Sequence, residues 1–170
     1  MSTKLRLALI AAAAIGLAYC LVSGNYYTCV YILGLIGYLV WSQYREGTVF
    51  LATQAFHKQD YDKTKSLLAE IKNPDQLRKG RRNFYEFMQG NIALKENRIE
   101  EAEYHFQLAS RLPWKRDNEK GMVLINLANI NLRKKEWDRV SGYLDVAEKL
   151  QLSAKQKEIV QKIKSNIEKN

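Results

Sequence analysis

The chain is poor in the residues from which reactive centres are made. It has two cysteines, Cys20 and Cys29, both in apolar surroundings. That number excludes a disulfide framework, and such cysteines act mainly as small hydrophobes. Histidine also occurs twice, as His57 and His105, and neither stands at a metal-ligand spacing from a cysteine or carboxylate. Gly80 and Gly90 stand alone, so no phosphate-cradling glycine loop is present. The reading is therefore no catalytic, cofactor or metal site. Proline occurs twice, at Pro74 and Pro113, where helices must stop. Acid is absent from the first 45 residues, although the whole chain holds 18 Asp and Glu.

Two apolar segments fill that acid-free region: Leu5–Val22, and Tyr27–Trp41 with no charge at all. Only Ser23-Gly24-Asn25-Tyr26 separates them. Their lengths suggest a transmembrane helical hairpin, with Tyr26, Tyr27, Trp41 and Tyr44 as interfacial aromatics. A cleaved signal peptide is the rival reading, with Lys4 and Arg6 as its charged start; the second apolar segment argues against it. Lys4 and Arg6 precede the hairpin and Arg45, Lys58, Lys63 and Lys65 follow it. The positive-inside rule then places both termini in the cytoplasm of what reads as a bacterial membrane protein. Residues 1–44 would be the hairpin and 45–170 a cytoplasmic domain.

The net charge is +9, of which +7 lies beyond residue 44. A basic domain attracts acidic partners, anionic lipid or nucleic acid. Basic residues interleaved with acids, and the lack of a nucleic-acid module, disfavour the last.

The second part repeats with a period of 38 residues. Ala52, Gly90 and Ala128 align, and the following columns agree in kind: Phe56, Leu94 and Leu132; Tyr61, Ile99 and Trp137; Thr64, Ala102 and Val140; Leu68, Phe106 and Leu144; Ile71, Ala109 and Ala147. In each copy an amphipathic helix ends in a polar turn (His57–Asp60, Lys95–Arg98, Arg133–Glu136), and a second helix follows with apolar residues three and four apart. Glu100, Glu101 and Glu103 open one of these helices, where the dipole favours acid. Ser153–Lys169, with Ile159, Ile163 and Ile167 four apart, reads as a terminal cap.

These columns resemble the tetratricopeptide repeat, best in the middle copy through Gly90, Asn91, Ala93, Leu94, Arg98, Glu101, Ala102, Phe106, Ala109 and Pro113. The resemblance implies an all-α fold: an α-solenoid of three helix pairs (about 45–82, 83–120 and 121–154) plus the capping helix. It also implies a groove that binds a partner protein, so the chain reads as a scaffold, adaptor or assembly factor and not an enzyme. Groove candidates are Thr53, His57, Asn91, Lys95, Asn126, Asn129 and Arg133: amides for an extended backbone, and cations for an acidic peptide segment. The family's clamp for acidic chaperone tails is not reproduced, because its slots hold Val49, Thr53, Met88 and Met122, with only Asn126 fitting. Arg78, Lys79, Arg81 and Arg82 form the densest basic run, a candidate contact for lipid headgroups. Two alternatives stand beside the scaffold reading. One is an accessory subunit of a larger membrane complex, docked through the hairpin. The other is a basic domain recruiting RNA or ribosomes.

Overall fold

A computed structural model describes residues 3–24, 26–46 and 48–167. The described residues form nine α-helices and no strand. They are α1 (Thr3–Val22), α2 (Tyr26–Glu46), α3 (Val49–His57), α4 (Tyr61–Ala69), α5 (Lys79–Lys95), α6 (Ile99–Arg111), α7 (Asp117–Arg133), α8 (Trp137–Glu148) and α9 (Ala154–Ile167). Asn25 of the first loop, and the end of the expected cap beyond Ile167, lie outside the described residues. Contacts divide the chain into two compact units, Met1–Arg81 and Arg82–Asn170.

In the first unit, α1 packs on α2 through one stripe of each helix. Ile10, Ala13, Leu17 and Cys20 are partly covered, and so are Ile32, Ile36 and Leu39, with Cys29 buried. These positions recur three and four apart, the spacing that keeps a seam facing a helical partner. Gly16 belongs to the same contact: a Cβ there would lie 3.9 Å from Ile32 Cδ1. Cys20 and Cys29 are both free thiols.

The membrane reading of this hairpin is overturned. Among the described residues, no helix is long and apolar enough to cross a membrane. The reason lies at the helix ends. α1 contains Lys4 and Arg6, which leave Leu7–Val22 as its uncharged stretch. α2 runs on past Trp41 into Ser42, Gln43, Arg45 and Glu46, which leave Tyr27–Trp41. Both stretches fall short of the ~20 consecutive apolar residues a span needs. The transmembrane hairpin, the bacterial-membrane assignment and the cytoplasmic orientation deduced from it fall together.

The 38-residue repeat has a structural signature in its turns. Gln59, Asn97 and Lys135 all adopt left-handed backbone conformation, with φ of 60°, 59° and 60°. Around each, the same two hydrogen bonds close the preceding helix. Asp60, Arg98 and Glu136 donate their backbone N–H to the carbonyls of Ala55, Ala93 and Asn131. Gln59, Asn97 and Lys135 donate to Phe56, Leu94 and Leu132. This is the Schellman arrangement, which satisfies carbonyls that a helix end leaves open. It sets the angle at which the second helix of each copy leaves the first. The columns meet where that geometry puts them. Ala52, Gly90 and Ala128 are buried, as are Thr64, Ala102 and Val140, and Leu68, Phe106 and Leu144.

In the second unit, Phe106 enters the gap left by Gly90 and lies beside Phe87, with centroids 6.0 Å apart. Trp114 follows in the connection, edge-on to Phe84 and Phe87 at 5.2 and 6.3 Å. Its indole donates to the Ala109 carbonyl at 2.8 Å. Asn83, buried in α5, donates to the Pro113 carbonyl at 2.8 Å and so ties the same connection down. α9 packs on both α7 and α8, adding Val160 and Ile163 to the core of Leu124, Ala128, Val140 and Leu144.

Candidate partner-binding face

α7 is buried over most of its circumference. Gly121, Val123, Leu124, Ile125, Leu127, Ala128, Ile130 and Asn131 all lie inside, against α6, α8 and α9. Beyond its first turn, what remains most accessible is one stripe. Met122 is 38% exposed, Asn126 and Asn129 are half-buried, and Arg133 is exposed. Their spacing of four, three and four residues puts them on one face. Among the described residues neither asparagine amide has a hydrogen-bond partner and Arg133 has no ion pair. The stripe therefore offers two amides and a cation in line on a helix whose other sides are packed.

The other groove candidates differ in what their side chains already do. Asn91 on α5 donates its amide to the Phe87 carbonyl at 2.7 Å, within its own helix. Thr53 on α3 likewise donates its hydroxyl to the Val49 carbonyl at 2.8 Å. His57 and Lys95 are exposed at the last residues of α3 and α5. Thr53 and His57 belong to the first unit; Asn91, Lys95, Asn126, Asn129 and Arg133 belong to the second.

The basic run is partly turned to internal contacts. Arg78 and Lys79 are exposed. The Arg81 guanidinium sits 5.8 Å from the centroid of the Phe50 ring, a cation–π geometry. Arg82 Nε lies 3.5 Å from Glu86 Oε1. With no membrane span among the described helices, nothing places these four residues beside lipid.

Charged groups outside the groove and headgroup candidates form two bridges between helices. Glu86 is buried on α5, and its Oε2 lies 2.8 Å from His105 Nδ1 on α6. His105 Nε2 is 3.9 Å from Glu101 Oε1. Further along α6, Glu103 is buried and receives Lys134, Arg139 and the Asn131 amide, all from the next helix pair. Burial alone raises the pKa of Glu103, but the Lys134 hydrogen bond and charge, the Asn131 amide and the Arg139 charge outweigh it. Its carboxyl is held below the usual glutamate value. The Lys134 ammonium is raised by the same hydrogen bond to Glu103. Both bridges join residues nineteen or more positions apart, a separation that no periodicity along a single helix reveals. The one hint was Glu103, an acid at a position the amphipathic pattern turns inward. No group of three or more His, Cys, Asp or Glu among the described residues is placed to hold a metal ion.

No family model, curated protein or solved structure matches this chain. Its own residues therefore carry what is known of its role. They supply packed helices, internally paired charges, and one stripe of α7 whose two amides make no hydrogen bond among the described residues.

Proposed function

We propose that the chain is a non-catalytic partner-binding module of the tetratricopeptide kind, and that α7 is its recognition helix. The observation that carries this reading is the contrast between Asn91, whose amide is spent on its own helix, and Asn126 and Asn129, whose amides are not. Free amides in register along one helix face suit the backbone of an extended peptide, which alternates donors and acceptors. Arg133 at the end of the stripe suits a carboxylate, which a guanidinium binds with two parallel hydrogen bonds. The ligand class is thus an extended protein segment with an acidic residue or C-terminus.

A nucleic-acid role draws less support. Arg82, Arg98, Arg116, Lys134, Arg139 and Lys164 are each paired with a carboxylate, which breaks up the continuous positive stripe that phosphate tracking requires.

The test is a photo-crosslinking benzoylphenylalanine placed at Asn129 of the full chain, with Asp145 on the exposed face of α8 as control. Position 129 should yield a discrete protein adduct that Arg133→Glu removes, while position 145 yields none. Equal labelling from both positions, or labelling indifferent to Arg133, would refute the assignment.

A further inference from the structure

The α1–α2 hairpin leaves uncovered a face beside its seam whose middle carries no tyrosine. On α1, Ala11, Ala14, Ala18 and Leu21 are all exposed. On α2, Val30, Leu33, Gly37 and Val40 are all exposed. Each set repeats with spacings of three and four, and each lies about a quarter turn beyond the covered seam of its own helix. Because the helices run antiparallel, equal rotations from the seam bring both sets to the same side of the hairpin. Tyr31 and Tyr38 fall on the other flank of α2 and Tyr19 on the far side of α1, while Tyr26, four residues before Val30, stands in register at the loop end of the face. The middle of the face is aliphatic, low in relief on α1 and bulkier on α2.

We infer that this face is an isologous interface, where the hairpins of two copies pack as a four-helix bundle. Three observations favour a second copy over another occupant. The face continues the three-and-four spacing already used by the covered seam, so one stripe packed within the hairpin stands next to a like stripe that is not. No charged residue lies between Arg6 and Arg45, while the whole chain carries +9. An acidic partner would be drawn to the basic body, whereas two equally charged copies meet without repulsion along the neutral hairpin. Area agrees as well. Two helices of 20 and 21 residues present a face about 30 Å long and about 20 Å wide. That is about 600 Å² before side-chain relief, on the order of the ~800 Å² per partner that a stable dimer buries. The pairing is self-complementary under a two-fold axis, with small α1 residues of one copy facing bulkier α2 residues of the other. It uses a surface apart from the α7 stripe and does not depend on the role proposed for that stripe.

The test is sedimentation equilibrium of the full chain in aqueous buffer, alone and with phosphatidylcholine vesicles. A dimer of the 19.7 kDa chain is expected in both. Leu33→Lys buries an uncompensated charge at the interface and should weaken the dimer at least about 100-fold. Tyr31→Lys, on the opposite flank, should leave it intact. A second measurement needs no disruptive change. With Cys20 and Cys29 replaced by alanine, a mixture of Ala11→Cys and Gly37→Cys chains should form the mixed disulfide at least tenfold faster than a mixture of Ala11→Cys and Tyr38→Cys chains. A monomer at all concentrations, removal of the chain into vesicles as a monomer, equal loss from both lysine variants, or equal cross-linking in both mixtures would each overturn the inference.

Discussion

Gly90 of α5 lies directly under the Phe106 ring of α6: a Cβ on Gly90 would stand 2.8 Å from Phe106 Cε1 and 2.9 Å from Cζ. The ring is fully buried and has Phe87 beside it, so it has little room to withdraw. Gly90→Ala gains ~0.5–1 kcal/mol of helix propensity. Against that stands an overpacking cost of about 1–3 kcal/mol. The clash wins, and urea denaturation should show a net loss of about 1–2 kcal/mol. Gly142 on α8 is the control. Nothing lies within 4 Å of its added Cβ, so Gly142→Ala should raise stability by ~0.5–1 kcal/mol.

The three turns make a prediction of opposite sign. Lys135 holds φ at 60° without the local side-chain hydrogen bonding that lets asparagine tolerate this region. The middle turn already has Asn97 in the same place. Lys135→Asn should therefore stabilise the chain by about 0.5–1 kcal/mol, raising the melting temperature by roughly 2–4 °C per kcal/mol. Asn97→Val, a β-branched residue forced into the same backbone conformation, should lower it by more than Lys135→Asn raises it. Thermal denaturation followed by circular dichroism reads both.

Glu103 confers a pH dependence whose sign follows from its environment. Its carboxyl is held below the usual glutamate value by Lys134, Asn131 and Arg139. The ionised form thus favours the fold, and its contribution is complete above the unfolded pKa and fades as pH falls through the folded one. Lys134, raised by its bond to Glu103, acts at the other end: its contribution is present below the ordinary lysine value and fades as pH climbs through the folded one. Glu103→Gln should cost about 1–3 kcal/mol at neutral pH, because Lys134 and Arg139 lose their acceptor but retain access to solvent. The variant should also lose part of the decline in stability below about pH 5. Urea midpoints measured at pH 3.5, 5 and 7 for both proteins check this.

The turns explain why so much of the helical pattern was legible. A Schellman ending fixes where one helix stops and the next begins, so Ala52, Gly90 and Ala128 must recur at the spacing of Gln59, Asn97 and Lys135. Periodicity reads such local constraints well. It cannot say where an amide points: Asn91 and Asn129 occupy the same column, yet one binds its own helix and the other does not. Nor can it pair Glu103 with Lys134, a contact that depends on two successive helix pairs packing together. The apolar segments misled for a simpler reason. They were read by hydrophobicity, while the charges and polar residues inside the ends of α1 and α2 shorten them below a membrane's thickness.

The start of α9 is held by one side chain with two tasks. Gln156 Oε1 accepts from the Ser153 backbone N–H at 2.9 Å, and Ser153 Oγ accepts from the Gln156 N–H at 3.4 Å, the reciprocal pairing of a capping box. The Gln156 amide also donates to the Asn118 carbonyl in the first turn of α7, at 2.7 Å. Beside it, Gln151 N–H donates to Asp117 Oδ2, and Leu152 lies so close to α7 that a Cβ on Gly121 would meet its Cδ2 at 2.2 Å. Replacing Gln156 separates the two tasks. Gln156→Glu keeps the acceptor for Ser153, where a helix N-terminus welcomes negative charge, but loses the bond to Asn118 and sets a carboxylate against that carbonyl. Gln156→Ala loses both. The alanine variant should cost about 1–2 kcal/mol. Both variants should raise amide hydrogen exchange in α9 while leaving α5 and α6 protected. If the glutamate variant exchanges in α9 as slowly as the parent, the bond to Asn118 does not hold this helix in place, and Leu152 against Gly121 carries the attachment alone.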